Sequence, residues 1–201
     1  MVLRRTVLVT LVAAAATSSF AQTQQARPSG AAAASDDEYI RQTLAAGSLS
    51  LAASRIAEGK LQTDDLREFA QLEVTEQETL ADVLKSLQNP SLADGTMKPP
   101  SEAEAEQLLD KRGQDELEKM RAAPAGAEFD REYLVAQTNG HLELLRIQET
   151  YLGSAQNNPN FINVAKLARA MIREHLQLLA DLQSEIESGE ATSGAAPRRD
   201  H

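Results

Sequence analysis

Residues 63–90 read TDDLREFAQLEVTEQETLADVLKSLQNP, the most informative segment of the sequence. Acidic residues at 64 and 65 suit the positive end of a helix dipole, and Pro90 cannot continue a helix. Apolar residues recur at three- and four-residue spacing: Leu66, Phe69, Leu80, Val83, Leu87. This spacing predicts a long amphipathic helix that buries one face against other helices.

The apolar face of this helix is interrupted at one height by Glu73, Glu76 and Gln77. A buried carboxylate is costly unless it is paired with a positive group or binds a metal ion. Alternatively, the helix rotates slightly and these side chains lie in water at the edge of the apolar face, where charged residues are usually found. The sequence leaves both interpretations open.

Three further long helices are predicted from periodicity and capping residues. The first starts at Ser35, where Ser35 and Glu38 have the spacing of a capping box, and it ends near Gly59. The other two cover about 128–152 and 158–186. The last begins with Asn158-Pro159, a capping residue followed by proline at the first helical position.

The long connection at 89–127 joins two pairs of helices. It contains a capping box at Ser101 and Glu104, which predicts one shorter helix over roughly 102–121. Two helical hairpins joined by one long crossover are typical of the ferritin-like class of bundle. The sequence therefore predicts an all-α, ferritin-like four-helix bundle over residues 35–187.

Composition excludes several classes of protein. Aromatic residues make up 3% of the 201 residues and Trp is absent, which argues against a β-sandwich or barrel. Cys is absent, which excludes disulfides, zinc–thiolate sites and Cys nucleophiles. The net charge of −10 argues against nucleic acid as a partner, because phosphates would be repelled.

The first residues have the features of a secretory signal. Arg4-Arg5 precedes a short apolar run at 7–16, and Ser19-Phe20-Ala21 places small residues at a cleavage site. The run is too short for a transmembrane helix, which needs ~20 residues. We therefore expect residues 1–21 to be a signal peptide and the mature protein to be periplasmic, without a transmembrane segment. Polar segments at 22–34 and 188–201 are predicted to be a disordered linker and tail, because they have no apolar periodicity.

The histidines of the third and fourth predicted helices suggest a metal site. His141 and His175 each lie on or beside the apolar face of their helix. One buried His is more often a core residue than a ligand, but two that face carboxylates could bind metal. The candidate ligands are His141, His175, Glu73 and Glu76, and this set suits iron, zinc or copper rather than calcium.

Two observations limit this hypothesis. The usual di-metal site of a bundle needs Glu three residues before each histidine, but Thr138 and Ile172 occupy those positions, which argues against a ferroxidase. Counted from the turn at 153–158, the two histidines also differ in height by five residues, or ~7.5 Å along the helix axis. Direct contact between the rings is therefore not assured by the sequence.

One segment of the third predicted helix reads Gly126-x-x-Phe129-Asp130-x-x-Tyr133 and is followed by His141. Two others are Leu66-Arg67-x-Phe69-Ala70 in the second helix and Arg173-Glu174-His175-Leu176 in the fourth. With these segments the chain resembles, over roughly 36–186, a known family of exported bacterial proteins, the DUF4142 family. The resemblance implies a ferritin-like bundle and export, with no assigned biochemical function. The spacing of Phe129 and Tyr133, one turn apart, separately predicts that both rings enter the core.

These observations favour a non-enzymatic, exported helical bundle that acts in the cell envelope as a binding or stress-related module. No cofactor is required by this interpretation, and an envelope protein is a possible partner. The alternative is a metal-binding or redox protein with a degenerate ferritin-like site at the four candidate ligands. A third interpretation is a periplasmic helper that binds apolar ligands or partner helices.

Overall fold

The computed structural model of the protein describes residues 35–154 and 157–188. Within these two stretches the secondary structure is entirely helical, with six α-helices, one short 3₁₀-helix and no strand. The predicted all-α fold is therefore confirmed at this level. The predicted signal peptide, the linker and residues 189–201 of the predicted tail lie outside the described residues. No helix in the described stretches is long and apolar enough to cross a membrane.

Four long helices form the body of the described structure, and their bounds agree with the sequence to within about two residues. In chain order the helices are α1 (Asp36–Ala57), α2 (Asp64–Gln88), the 3₁₀-helix (Pro90–Leu92), α3 (Glu102–Gln107), α4 (Lys111–Ala122), α5 (Ala127–Leu152) and α6 (Pro159–Ser188). The capping residues explain this agreement. The Ser35 hydroxyl accepts a hydrogen bond from the Glu38 backbone N–H at 3.2 Å, and Asn158 accepts one from the Asn160 N–H at 2.9 Å.

The crossover differs from the sequence prediction. Two helices, α3 and α4, replace the single helix predicted over 102–121, because the helix is interrupted at Leu108–Asp110. The Asp110 carboxylate accepts a hydrogen bond from the Gly113 N–H at 2.9 Å and starts α4 as its N-cap. The break also turns Leu109 into the core. A capping residue and one apolar anchor thus outweigh the helical propensity of the surrounding sequence.

The long helices pack in a closed cycle. Helix α1 contacts α2 and α5, α5 contacts α6, and α6 contacts α2. The two predicted hairpins, α1–α2 and α5–α6, are therefore packed pairs. The crossover helices α3 and α4 lie against α1.

The two larger apolar clusters of the described residues lie toward different ends of the long helices, and buried polar residues lie between them along each helix. One cluster is built around Leu66, Phe69, Phe129 and Tyr133, so the prediction that both aromatic rings enter the core is confirmed. The other contains the stacked rings of Tyr39 and Tyr151, whose centroids are 4.0 Å apart. The polar residues between the clusters include Ser48, Ser50, Glu73, Gln77, Gln137, His141 and His175.

Candidate metal site

The interruption in the apolar face of α2 lies in the core, not at its edge. Glu73 has 0% of its surface exposed, so the interpretation that its carboxylate lies in water is wrong. The helix does not rotate this residue outward because Leu66, Phe69 and Ala70, one and two turns earlier on α2, are themselves buried. Gln77 is buried as well, whereas Glu76 is only partly buried.

Three of the four candidate ligands meet at one point. The distance from His141 Nε2 to His175 Nδ1 is 3.0 Å, and Glu73 Oε2 lies 3.3 Å from the first nitrogen and 3.2 Å from the second. The sequence predicted that the two histidines differ in height by ~7.5 Å along the helix axis, but in the structure their rings are in contact. A six-residue connection joins α5 to α6, and so long a connection does not fix the relative height of two helices as a tight turn would.

Glu76 lies on the other side of the His175 ring. Its Oε2 is 3.0 Å from His175 Nε2, the nitrogen that points away from Glu73. A carboxylate oxygen accepts hydrogen bonds, so His175 Nε2 carries a proton, and in the neutral ring Nδ1 presents its lone pair to Glu73. The structure therefore gives Glu76 the position of a group that orients a ligand, rather than that of a ligand.

His141 is oriented in an equivalent way by the backbone. Its Nδ1 is 2.8 Å from the carbonyl oxygen of Gln137, one turn earlier on α5. Because a carbonyl cannot donate, Nδ1 carries the proton, and in the neutral ring Nε2 presents a lone pair to His175 and Glu73. Two nitrogen lone pairs and a carboxylate oxygen are thus directed at the same point.

The other oxygen of Glu73 is held by the first helix. The Ser50 hydroxyl donates to Glu73 Oε1 at 2.6 Å, and Ser50 is also 2.6 Å from the Gln137 side chain. Glu73 Oε2, in contrast, is buried without any hydrogen bond, because its contacts with the two imidazoles lack hydrogen-bond alignment. The roles of Ser50 and Gln137 were missed from the sequence. A usable signal was the placement of Ser50 and Ser54 one turn apart beside Leu51 on the buried face.

The pKa shifts of His175 and Glu73 show that the place where the three side chains meet favours a positive charge. Burial disfavours the cation of His175, but its contacts with Glu73 and Glu76 outweigh burial and raise its pKa to about 9. Burial likewise disfavours ionised Glu73, but His141, His175 and Ser50 hold its pKa well below the usual range of a glutamate. Without a metal ion, a proton on His175 would therefore supply the positive charge that the ionised carboxylate requires.

The surroundings of the site are apolar on one side and partly open on another. The Phe69 ring packs against both imidazoles, with centroid distances of 5.2 Å to His175 and 5.9 Å to His141. The Glu76 side chain is 30% exposed and that of His175 is 7% exposed, so the site approaches solvent beside these two residues of α2 and α6. The neighbouring carboxylates Glu143 and Glu174 are exposed on the outer surface and take no part.

The arrangement has the chemistry of a transition-metal site. Among the described residues, Glu73, His141 and His175 form the one group of three ionisable side chains that could hold an ion, and all three are buried. The three distances between the ligand atoms, 3.0 to 3.3 Å, match an ion bonded to each atom at about 2.0–2.2 Å. The angles between ligands at such an ion would be about 100°. Two imidazoles and one carboxylate form a ligand set found for zinc and for non-haem iron.

Comparison with known proteins places the chain in a family. No curated protein and no solved structure matches it at a significant level. One family model matches residues 21–182, and its description is "Domain of unknown function (DUF4142)". The match includes α1 to α5 and most of α6, with all three converging side chains. The chain therefore belongs to the DUF4142 family.

Proposed function

We propose that this protein is an exported helical-bundle protein that binds one divalent first-row transition-metal ion through Glu73, His141 and His175. The observation that supports the proposal is the convergence of two imidazole nitrogens and one carboxylate oxygen, all buried, within 3.3 Å of one another. A buried carboxylate requires a positive partner, and a metal ion bound to all three atoms supplies it. Iron, zinc and copper are the candidate ions, because imidazole with carboxylate suits them better than calcium or magnesium.

The groups around the three ligands support metal binding over a simple buried ion pair. A metal-bound histidine usually donates its second ring N–H to a carboxylate or a backbone carbonyl, which fixes its orientation. His175 does so to Glu76 and His141 to the carbonyl of Gln137. An ion pair between Glu73 and one histidine would need only one imidazole, whereas a metal ion uses both.

The architecture and the predicted export complete the proposal. The closed cycle of four long helices, with a crossover between two hairpins, supports the ferritin-like bundle. Bundles of this class place metal ligands on facing helices at mid-length, as do α2, α5 and α6 here. The family match begins at residue 21, next to the predicted cleavage site, and the periplasmic location of the mature domain is part of this proposal.

Metal analysis of the protein purified from the periplasm tests the proposal. We expect close to one equivalent of a transition metal per chain after dialysis, and loss of that metal in the double variant His141→Ala/His175→Ala. Circular dichroism should show that the variant remains helical. The matched control is Glu143→Ala/Glu174→Ala, which alters exposed side chains on the same two helices and should keep the metal.

The opposite results would contradict it. A wild-type protein that binds no iron, zinc or copper above the level of the double variant, even after incubation with each ion, would show that the cluster is a structural ion pair. Equal metal content in the wild type and in a folded double variant would place the metal elsewhere on the acidic surface.

A further inference from the structure

The three protein ligands do not complete the coordination of any of the candidate ions. Zinc sites in proteins have four or more ligands, and non-haem iron held by two histidines and one carboxylate keeps further positions open. The described residues bring no fourth ionisable side chain to the same point. Extending the proposed metal site, on which this inference rests, we infer that the bound ion keeps an exchangeable position for a small monovalent anion.

The nearest side chains are unable to fill that position as they stand. Glu76 is engaged with the far nitrogen of His175, and the Ser50 hydroxyl is engaged with Glu73 Oε1. Phe69 offers only an aromatic ring to the two imidazoles. The remaining ligand must therefore come from solution.

The charge of the site selects an anion. A divalent ion with two neutral imidazoles and the Glu73 carboxylate carries a net charge of +1 at its ligand atoms, in a part of the core where Glu73 and His141 are completely buried. The Glu76 carboxylate on the far side of His175 offsets only part of this charge, because its side chain is 30% exposed and water screens it. A buried net charge is unfavourable, so a monovalent anion that binds the ion neutralises the centre. A bound water molecule would serve the same purpose by losing a proton, because a metal ion lowers the pKa of its water.

The packing of the site restricts the size of the anion. Glu73 and His141 are covered on all sides, and only His175 and Glu76 approach solvent, between α2 and α6. A ligand of two or three atoms can enter by displacing bound water after a small movement of Glu76. An aromatic carboxylate would have to separate α2 from α6, which pack against each other.

Cobalt(II) provides a probe, since its visible absorption spectrum reports coordination number and ligand type. The full chain is loaded with one equivalent of cobalt(II) and titrated with sodium azide, with sodium perchlorate at equal ionic strength as the control. We expect azide to displace water and to give a saturable, one-to-one spectral change. Perchlorate and benzoate should leave the spectrum unchanged.

The other outcomes contradict either the open coordination position, the size restriction or the metal site itself. If cobalt(II) binds in one equivalent and requires His141 and His175, but azide at saturating concentration leaves its spectrum unchanged, the coordination is closed and this inference fails while the proposed function stands. If benzoate produces the same change as azide, the size restriction is wrong. If cobalt(II) does not bind at all, both the proposed function and this inference fail.

Discussion

Two carboxylates are buried among the described residues, those of Asp130 and Glu73, and their surroundings differ in kind. Asp130, near the start of α5, has 2% of its surface exposed and accepts hydrogen bonds from the backbone N–H groups of Gln62 and Thr63, at 3.0 and 2.9 Å. The Thr63 hydroxyl donates to it as well, at 2.6 Å. Glu73 accepts one hydroxyl and otherwise faces the two imidazoles.

The difference distinguishes a structural carboxylate from a candidate ligand. The donors to Asp130 belong to the two residues that precede α2, so this side chain anchors the connection that leads into the helix and its charge is satisfied within the protein. Glu73 Oε2 has no aligned donor, and both nearby nitrogens present lone pairs when the histidines are neutral. Burial of a carboxylate alone therefore says little about function. The role of a buried carboxylate depends on which groups face its oxygens.

The largest expected effect follows from removal of the charge at Glu73. Glu73→Gln keeps the size of the side chain but removes the anionic ligand. Metal affinity should fall by more than the roughly 100-fold typical for loss of an orienting group, and isothermal titration calorimetry with zinc would measure it. Circular dichroism verifies folding, and unchanged affinity in a folded variant would show that Glu73 is not a ligand.

The converse change at Asp130 should affect stability and leave metal binding intact. Asp130→Asn removes a charged acceptor and leaves N–H groups at the start of α2 poorly satisfied, which costs about 2–3 kcal/mol. Urea denaturation measures the free energy of unfolding, and metal analysis of the folded variant should match the wild type. A variant that is as stable as the wild type, or that loses its metal while folded, would remove the contrast between the two carboxylates.

A smaller effect is expected at Glu76, which orients His175. Glu76→Gln retains an acceptor but loses the charge, so metal affinity should fall about 10- to 100-fold. Glu78→Gln is the matched control, because Glu78 lies on the same helix with a similarly exposed side chain but pairs with Arg55. Equal effects of the two substitutions on metal affinity would indicate a general loss of negative charge rather than a role in orienting His175.

Much of the candidate site was accessible from sequence. Glu73 was identified because it interrupts an apolar row, and the histidines because each lies on the apolar face of a helix. The positions of Ser50 and Gln137 around Glu73 were not predicted, because a Ser or Gln on a buried face has many possible partners. The function of Asp130 was not predicted either, since its partners at 62 and 63 belong to the connection between α1 and α2.

Periodicity and capping predicted the helical class, the four long helices and their ends, because both act over a few residues and depend little on the rest of the chain. The meeting of Glu73, His141 and His175 could not be predicted in this way, because it depends on how the helices pack. The rotation and relative height of α2, α5 and α6 result from the packing of the whole core, and an error of one residue in height moves a side chain by about 1.5 Å and turns it by about 100°. Packing of the complete molecule therefore places Glu73 at one ring nitrogen and Glu76 at the other.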